Sequence, residues 1–460
     1  MIQRNILKYL ENFYKSSKKA VLLTGARQIG KTFVIRELGK NFKSFVEINF
    51  VENPEFAEAV KNSKGREDIL IRISTFTKKP LIKNETLIFF DEVQVCPEVV
   101  TAIKFLVDEG SYKYIMSGSL LGVELKDLRS EPVGYMSVKE MFPLDFEEFV
   151  RAIGLGDNVI DHIQKSWDNR TPVDAYIHNK MMEIFRLYLV VGGMPEAVKK
   201  YLETNNLQEV MAVQRDIITL YKRDITKYDF KDKLQINHIF DLIPPELNEK
   251  NKRFILKNLN ENAKYERYHN GFLWLKNAGV AIPVYNVEEP KVPLKLSVSR
   301  NLLKLFLNDI GLLAAQYANG IQLRIINGDK DINYGSVYEN AVAQELLAHS
   351  FEPFYYNNKK RGELDFVIEY RRQILPIEVK SGKDYEVHRA LANIMDCANY
   401  NLPEAVVFCN DNLKVVGKLT YAPIYMVMCL KRNDYAPTSY KVDISMVGEH
   451  ATEYNSNHTN

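Results

Sequence analysis

The chain has little of what marks an exported or membrane-embedded protein. Its 460 residues hold four cysteines, Cys96, Cys397, Cys409 and Cys429, scattered with no C-x-x-C spacing. That pattern builds neither a disulfide framework nor a zinc knuckle, and it fits a reducing compartment. Nowhere do about 18 apolar residues run consecutively, so no membrane-spanning helix is expected. Residues Met1 to Lys19 alternate apolar and charged positions with a helical period, and the nearby apolar run Ala20 to Leu23 is too short for a secretion signal. A cytoplasmic location follows as the expectation, with no membrane partner. An excess of one charge is lacking too: the formal net charge is +2, so any basic face for nucleic acid must be local. No internal repeat is visible.

What is present is ordinary globular material, 46% hydrophobic and 26% charged, at a length that favours about three domains. From Lys19 to about Lys139, apolar runs (AVLLTG, SFVEINF, TLIFFDE, YKYIMSGS, YMSVKE) alternate with amphipathic stretches such as Val99 to Glu109. This is the pattern of a doubly wound α/β layer with parallel strands and helical crossovers. Asp145-Phe-Glu-Glu148 has the arrangement of a capping box and opens a helical tract running to about Tyr228, broken at Gly192-Gly193-Met194-Pro195. Two or three short helices then precede the β-branched run Val280 to Val287, in the proportion of a small helical module with a wing. Strands return with PFYYN, ELDFVIEY, QILPIEVKS and EAVVFC, alongside helices near Tyr338 to His349 and Val387 to Ala398, as a second α/β domain. Glu449 to Asn460 is polar and reads as a disordered tail.

The segment Gly25-Ala26-Arg27-Gln28-Ile29-Gly30-Lys31-Thr32 carries the G-x-x-x-x-G-K-[ST] spacing between a strand and a helix. A triphosphate needs inward backbone N–H groups, a helix N-terminus and a cation, and this segment offers all three. The glycines permit a tight nest, Lys31 reaches the outer phosphates, and Thr32 offers a hydroxyl to Mg²⁺. About 60 residues on, Leu87-Ile-Phe-Phe-Asp91-Glu92 ends an apolar strand in two carboxylates. Asp91 suits the Mg²⁺ shell, and Glu92 suits a base that orients and deprotonates water. Ser117 and Ser119 end the next strand with hydroxyls that either sense a γ-phosphate or close a Ser-Gly turn. Arg129 is a candidate arginine finger or sensor. ATP and Mg²⁺ are the ligands expected.

These residues resemble the prokaryotic AAA-like ATPases that carry a C-terminal DUF4143 domain. The resemblance includes the GGMPEAV stretch, Gln214-Arg-Asp-Ile-Ile-Thr-Leu-Tyr-Lys-Arg-Asp224, Lys304-Leu-Phe-Leu-Asn-Asp309-Ile-Gly311 and Gly335-Ser-Val-Tyr-Glu339-Asn, so it spans about Gln3 to Cys429. It implies an α/β fold with a P-loop ATPase core at 1–144, a helical lid at 145–230, a winged-helix-like module at 231–292, a restriction-endonuclease-like domain at 293–435 and an extension at 436–460. Gly193-Met-Pro195 resembles an element that related ATPases place near the adenine, and it is equally an ordinary helix break.

Glu339, Asp365, Glu378 and Lys380 look like a PD-(D/E)xK nuclease set. Glu378 and Lys380 stand two apart on one strand and therefore share a face. With Asp365 on a neighbouring strand, Asp365 and Glu378 form a possible second metal site, with Lys380 activating water and Glu339 approaching from a helix. The same charges equally form an internally paired, inactive remnant, and Glu363 competes as a ligand. Basic clusters at Lys250-Asn-Lys252-Arg253 and Lys359-Lys360-Arg361 suit DNA phosphates or a solvated face. Two uses of an ATP cycle stay open: DNA handling or cleavage, and a regulatory switch on a protein partner or within a homo-oligomer.

Overall fold

The structure, a computed structural model, describes residues 2–118, 134–225, 230–249, 251–261, 264–329, 332 and 334–432. Its first layer alternates α1 (Asn5–Ser16), β1 (Ala20–Thr24), α2 (Lys31–Gly39), β2 (Ser44–Asn49), α3 (Pro54–Lys61), α4 (Arg66–Phe76), β3 (Thr86–Asp91), α5 (Pro97–Glu109), β4 (Lys113–Ser117) and β5 (Met136–Glu140). The strands form one parallel sheet in the order β2-β3-β4-β1-β5.

Two-residue alternation divides each strand between two cores. Val21, Leu23, Leu87, Phe89 and Ile115 face α1 and α2, meeting Leu10, Val34, Ile35 and Leu38. Ala20, Leu22, Ile88, Phe90 and Met116 face α3 to α5, meeting Phe56, Val60, Ile73 and Ile103. Each fully buried Leu, Ile or Phe contributes about 1.5–3 kcal/mol, enough in sum to hold a sheet with both faces covered. Because all strands run the same way, the C-terminal ends of β1, β3 and β4 open side by side at one edge, where ligands of such sheets bind.

The helical tract comprises α6 (Phe146–Ala152), α7 (Asp157–Asn169), α8 (Ala175–Val191), α9 (Pro195–Thr204), α10 (Leu207–Ile225), α11 (Phe230–Asn248) and α12 (Tyr265–Asn277). The expected capping box forms: Asp145 Oδ1 accepts from Glu148 N at 2.7 Å, and Glu148 Oε2 accepts from Asp145 N at 3.4 Å. Gly192, at φ 70°, ends α8, and Pro195 takes the first turn of α9.

The rest comprises β6 (Ala281–Val287), β7 (Val298–Leu307), α13 (Ile310–Ala315), α14 (Ile321–Asn327), α15 (Tyr334–Ala348), β8 (Phe354–Asn358), β9 (Gly362–Tyr370), β10 (Gln373–Val379), α16 (Arg389–Met395), β11 (Ala405–Cys409), β12 (Lys414–Val416) and β13 (Leu419–Pro423). Its sheet is mixed and eight-stranded, in the order β12-β13-β11-β10-β9-β8-β6-β7.

Here the structure corrects the domain reading. The run expected as a wing is β6, which pairs antiparallel with β7 and parallel with β8. A border at 292/293 would cut between two adjacent strands of one sheet. The physical reason is burial: Ala281, Ile282, Val284 and Val287 are all inside, as a central strand requires and an exposed wing does not. No described helix is long and apolar enough to cross a membrane.

Candidate nucleotide site

The connection from β1 to α2 is Gly25 to Gly30. Gly25 (φ 127°), Gln28 (φ 62°) and Gly30 (φ 91°) adopt left-handed backbone and curl the chain over the end of β1. At Gly25 a β-carbon would lie 2.2 Å from the Met141 carbonyl, so only glycine fits. Lys31 opens α2, and its Nζ donates to Gly25 O at 2.9 Å and to Ala26 O at 2.7 Å. Burial pulls its pKa down to about 8, against the opposing pull of Glu92 and Asp91, with the Arg27 charge adding to the fall.

At the end of β3, Asp91 is buried among hydroxyls and amides. Its Oδ2 accepts from Thr32 Oγ1 at 3.2 Å and Asn49 Nδ2 at 3.4 Å, and its Oδ1 from Ser117 Oγ at 2.5 Å and Glu92 N at 3.1 Å. Burial raises its pKa, while the Ser117 hydrogen bond works the other way. Glu92 sits at φ 56° on the turn after β3, half-buried, and its carboxylate accepts from the Gln94 side-chain amide. Sequence reasoning singled out Lys31, Thr32, Asp91, Glu92 and Ser117, and these converge. It passed over Asn49, a polar residue ending β2 beside Asp91. A hydroxyl and a carboxylate meeting beside an ammonium and a helix N-terminus are hard oxygen donors suited to Mg²⁺ on a phosphate. Ser119 and Arg129 lie outside the described residues.

Distant segments brace the loop. The buried Arg4 donates from Nη1 to Ile29 O at 2.9 Å and from Nη2 to Phe142 O at 2.6 Å, and pairs with Glu148 at 3.0 Å. The Pro195 ring sits by Gly30, where a β-carbon would be 3.8 Å from its Cγ. Gly193, two residues earlier, donates its N–H to Asp309 Oδ2 at 2.6 Å, and Gln214 Nε2 donates to Val190 O and Val191 O at 2.8 and 2.9 Å. Gly279, in the turn before β6, lies against Ala26, whose nitrogen is 2.9 Å from where a β-carbon would stand. Arg27 Nη1 pairs with Asp224 Oδ1 at 2.5 Å. Gln214, Asp224 and Asp309 lie in stretches that carried the resemblance. Arg4 and Gly279 had no local signal.

The second constellation also assembles, in a different form. Glu339, Glu363, Asp365 and Glu378 come together, and the Lys304 ammonium sits among them. It lies 2.9 Å from Glu363, 3.4 Å from Glu339 and 3.6 Å from Asp365, fully buried. Although burial disfavours its charge, Glu339, Asp365 and Glu363 raise the Lys304 pKa above the usual lysine value. Lys252 pairs with Glu339, and Lys380 with Glu378 at 2.6 Å. Burial, then the charge of Asp365, pushes Glu378 up to about 8. Among the described residues no group of three or more His, Cys, Asp or Glu is arranged to hold a metal. Asp365 and Glu378, expected as a metal pair, thus lie in a cluster already furnished with cations. Lys304 was passed over, though a lysine inside the apolar run LLKLFL was a mark of a buried charge. Of the basic clusters, Lys252 is committed to Glu339, and Arg361 Nη1 donates to Tyr400 OH at 2.6 Å. Lys359 and Lys360 are exposed, and Lys250 lies outside the described residues.

The parallel sheet and its loop define a P-loop ATPase fold of the AAA type. More narrowly, the chain joins an AAA domain, matched over residues 17–150, to a C-terminal DUF4143 domain matched over residues 334–426. A domain of unknown function, DUF8612, matches residues 182–323 between them. Among solved structures, the chain is similar to a Walker-type ATPase of Pyrococcus abyssi at 13% identity and a TM-score of 0.40, covering 69% of this chain and 96% of that one. It is also similar to the Aeropyrum pernix ORC1 protein in complex with DNA, at 12% identity and a TM-score of 0.28, covering 69% and 93%. A third is Cdc6p of Pyrobaculum aerophilum, at 11% identity and a TM-score of 0.23, covering 71% and 96%. No curated protein matches the chain.

Proposed function

We propose that this chain binds and hydrolyses ATP with Mg²⁺, and that nucleotide state acts on its C-terminal domain, which engages a partner by binding rather than cutting. The observation that carries the first half is the meeting of the Lys31 ammonium, the Thr32 hydroxyl and the Asp91 carboxylate at the N-terminus of α2. When bound, Mg²⁺ supplies positive charge to the outer phosphate oxygens. Thr32 and Asp91 would hold it. Lys31 leaves its two carbonyl partners for the β/γ oxygens, and the loop amides cradle the remaining charge. Glu92 orients water in line and takes its proton, Ser117 keeps Asp91 oriented, and Pro195 borders the adenine side of the loop.

ATP turnover of the purified chain tests this. Lys31→Ala is expected to lose hydrolysis, and Glu92→Gln to keep nucleotide binding while slowing turnover about 100-fold or more. Unslowed turnover in Glu92→Gln would remove Glu92 as base, and a wild-type protein without affinity for Mg-ATP would remove the whole reading.

Binding rather than cutting is supported by Lys304, which stands where a nuclease would need a divalent cation. The exposed Lys359 and Lys360 beside β9 make DNA one partner to test, and another protein or a second copy of the chain the other. DNA binding at low salt, with and without ATP, separates the two. Mn²⁺-dependent nicking lost in Lys380→Ala would overturn the non-cutting assignment.

A further inference from the structure

We infer that Arg27 is a second cation for the outermost phosphate of the bound nucleotide, and that Asp224 is the residue that positions it. This rests on the ATP reading above and extends it to a side chain that the loop spacing leaves unspecified.

Arg27 is the third residue of the loop, and its Nη1 makes a 2.5 Å ion pair with Asp224 Oδ1, a residue 197 positions away in the last turn of α10. The same helix also holds the Arg27 backbone, because Tyr221 OH donates to Arg27 O at 3.4 Å. Backbone and side chain of one loop residue are thus fixed by two residues of one helical turn, which sets the direction of the guanidinium. The Asp224 side chain is 5% exposed and that of Arg27 is 32% exposed. The carboxylate end of the pair is therefore buried, while the guanidinium end reaches the open side of the loop. Of the three Arg27 guanidinium nitrogens, Nη1 is the one that has a hydrogen-bond partner among the described residues. A guanidinium is a rigid fork with five donors, so it can keep a carboxylate on one edge and offer another edge to a phosphate.

The location of the Lys31 ammonium says which phosphate. Nζ of Lys31 rests on the carbonyls of Gly25 and Ala26, the two residues directly before Arg27. The Arg27 charge is near enough to add to the fall in the Lys31 pKa. Two like charges held together beside a loop of inward amides repel each other until an anion arrives, and the terminal phosphate of a triphosphate carries the densest charge on offer. Arg27 needs no change of partner to meet it. Asp224 stays its counter-ion, because the 2.5 Å contact occupies one edge of the guanidinium and leaves another for the phosphate. The assignment also gives α10 a direct tie to the nucleotide, and Tyr221 accepts from Asn308 Nδ2 at 3.4 Å, at the end of β7.

The test compares Mg-ATPγS with Mg-ADP, which lacks the phosphate in question. Dissociation constants are measured by competition with a fluorescent adenine nucleotide on the full chain, with thermal unfolding run in parallel. In Arg27→Ala the ratio of the ATPγS constant to the ADP constant is expected to rise about tenfold, with ADP binding little changed. Arg27→Lys restores part of the preference, and Asp224→Asn shifts the ratio the same way by a few-fold. A purely structural pair would lower the melting temperature and weaken both nucleotides equally. An unchanged ratio in folded Arg27→Ala therefore overturns the phosphate contact, and an unchanged ratio in Asp224→Asn overturns the positioning role. Should Asp224→Asn fail to fold, Asp224→Glu answers the same question, because it keeps the charge and moves it by one methylene. Wild-type protein that binds neither nucleotide is a separate failure, that of the ATP reading itself.

Discussion

The two charged constellations of this molecule use the same side chains to opposite ends. At the end of β3, Asp91 is buried but surrounded by neutral donors, Thr32, Ser117 and Asn49, and the nearest ammonium, Lys31, rests on backbone carbonyls rather than on a carboxylate. In the C-terminal sheet, Glu339, Glu363 and Asp365 surround Lys304, and Glu378 holds Lys380. The first arrangement leaves its charges to be completed by a ligand. The second completes itself. Counting acids and lysines does not tell an open site from a closed one, because what decides is whether a protein cation fills the space between the carboxylates.

Breaking the closed site should have the largest effect. Lys304→Met keeps the bulk but removes the cation shared by the buried Glu339 and the partly buried Glu363 and Asp365, and a loss of about 3–5 kcal/mol is expected for such a broken cluster. The stranded acids would have folded-state pKa values above their unfolded ones, so the loss should shrink as pH falls from 8 towards 5 and they protonate. Thermal unfolding at those two pH values checks both size and sign, and a variant as stable as wild type would deny Lys304 its role.

The open site should respond next, and to pH. Lys31 must be charged to hold a phosphate, its pKa in the free protein is about 8, and phosphate raises it. Affinity for a non-hydrolysable ATP analogue should therefore be level below about pH 8 and fall by up to about tenfold per pH unit above it. Titrations from pH 7 to 9.5 read this out. A flat profile would place Lys31 in a wetter setting than its burial indicates.

The smallest effect is expected at Lys380. It is 30% exposed, and burial together with the charge of Asp365 pushes the pKa of its partner Glu378 up, which weakens the pair. Lys380→Ala should cost about 1 kcal/mol or less, with ATP turnover unchanged. A loss as large as that of Lys304→Met would show the two lysines to be equal members of one cluster.

Where the determining interactions are local, the sequence was readable. Gly25 and Gly30 set the loop through their own backbone, Asp145 and Glu148 close a capping box from positions three apart, and β1, β3 and β4 announce themselves as apolar runs with both faces covered. Where they are distant, it was not. Nothing near Gly193 says that its N–H is taken by Asp309, 116 positions on, and nothing near Arg4 says that it holds a carbonyl of the loop. The apolar run around Lys304 marked a buried charge, but its partners were hidden for the same reason, since they come from α15 and β9. The β6 error has a related origin: a short apolar strand looks the same whether it ends a wing or lies between two others, and pairing with β7 and β8 decides.

The placement of β6 also limits how the polypeptide can be dissected. A fragment ending at residue 292 would keep β6 without β7 and β8, leaving a hydrophobic ribbon with two rows of open amide and carbonyl groups, and such ribbons recruit one another. Cleaving after residue 280 instead would keep the sheet whole while stripping Ala26 of the Gly279 turn's attachment to the rest of the chain. Neither half is expected to behave as a faithful miniature of its part in the intact protein.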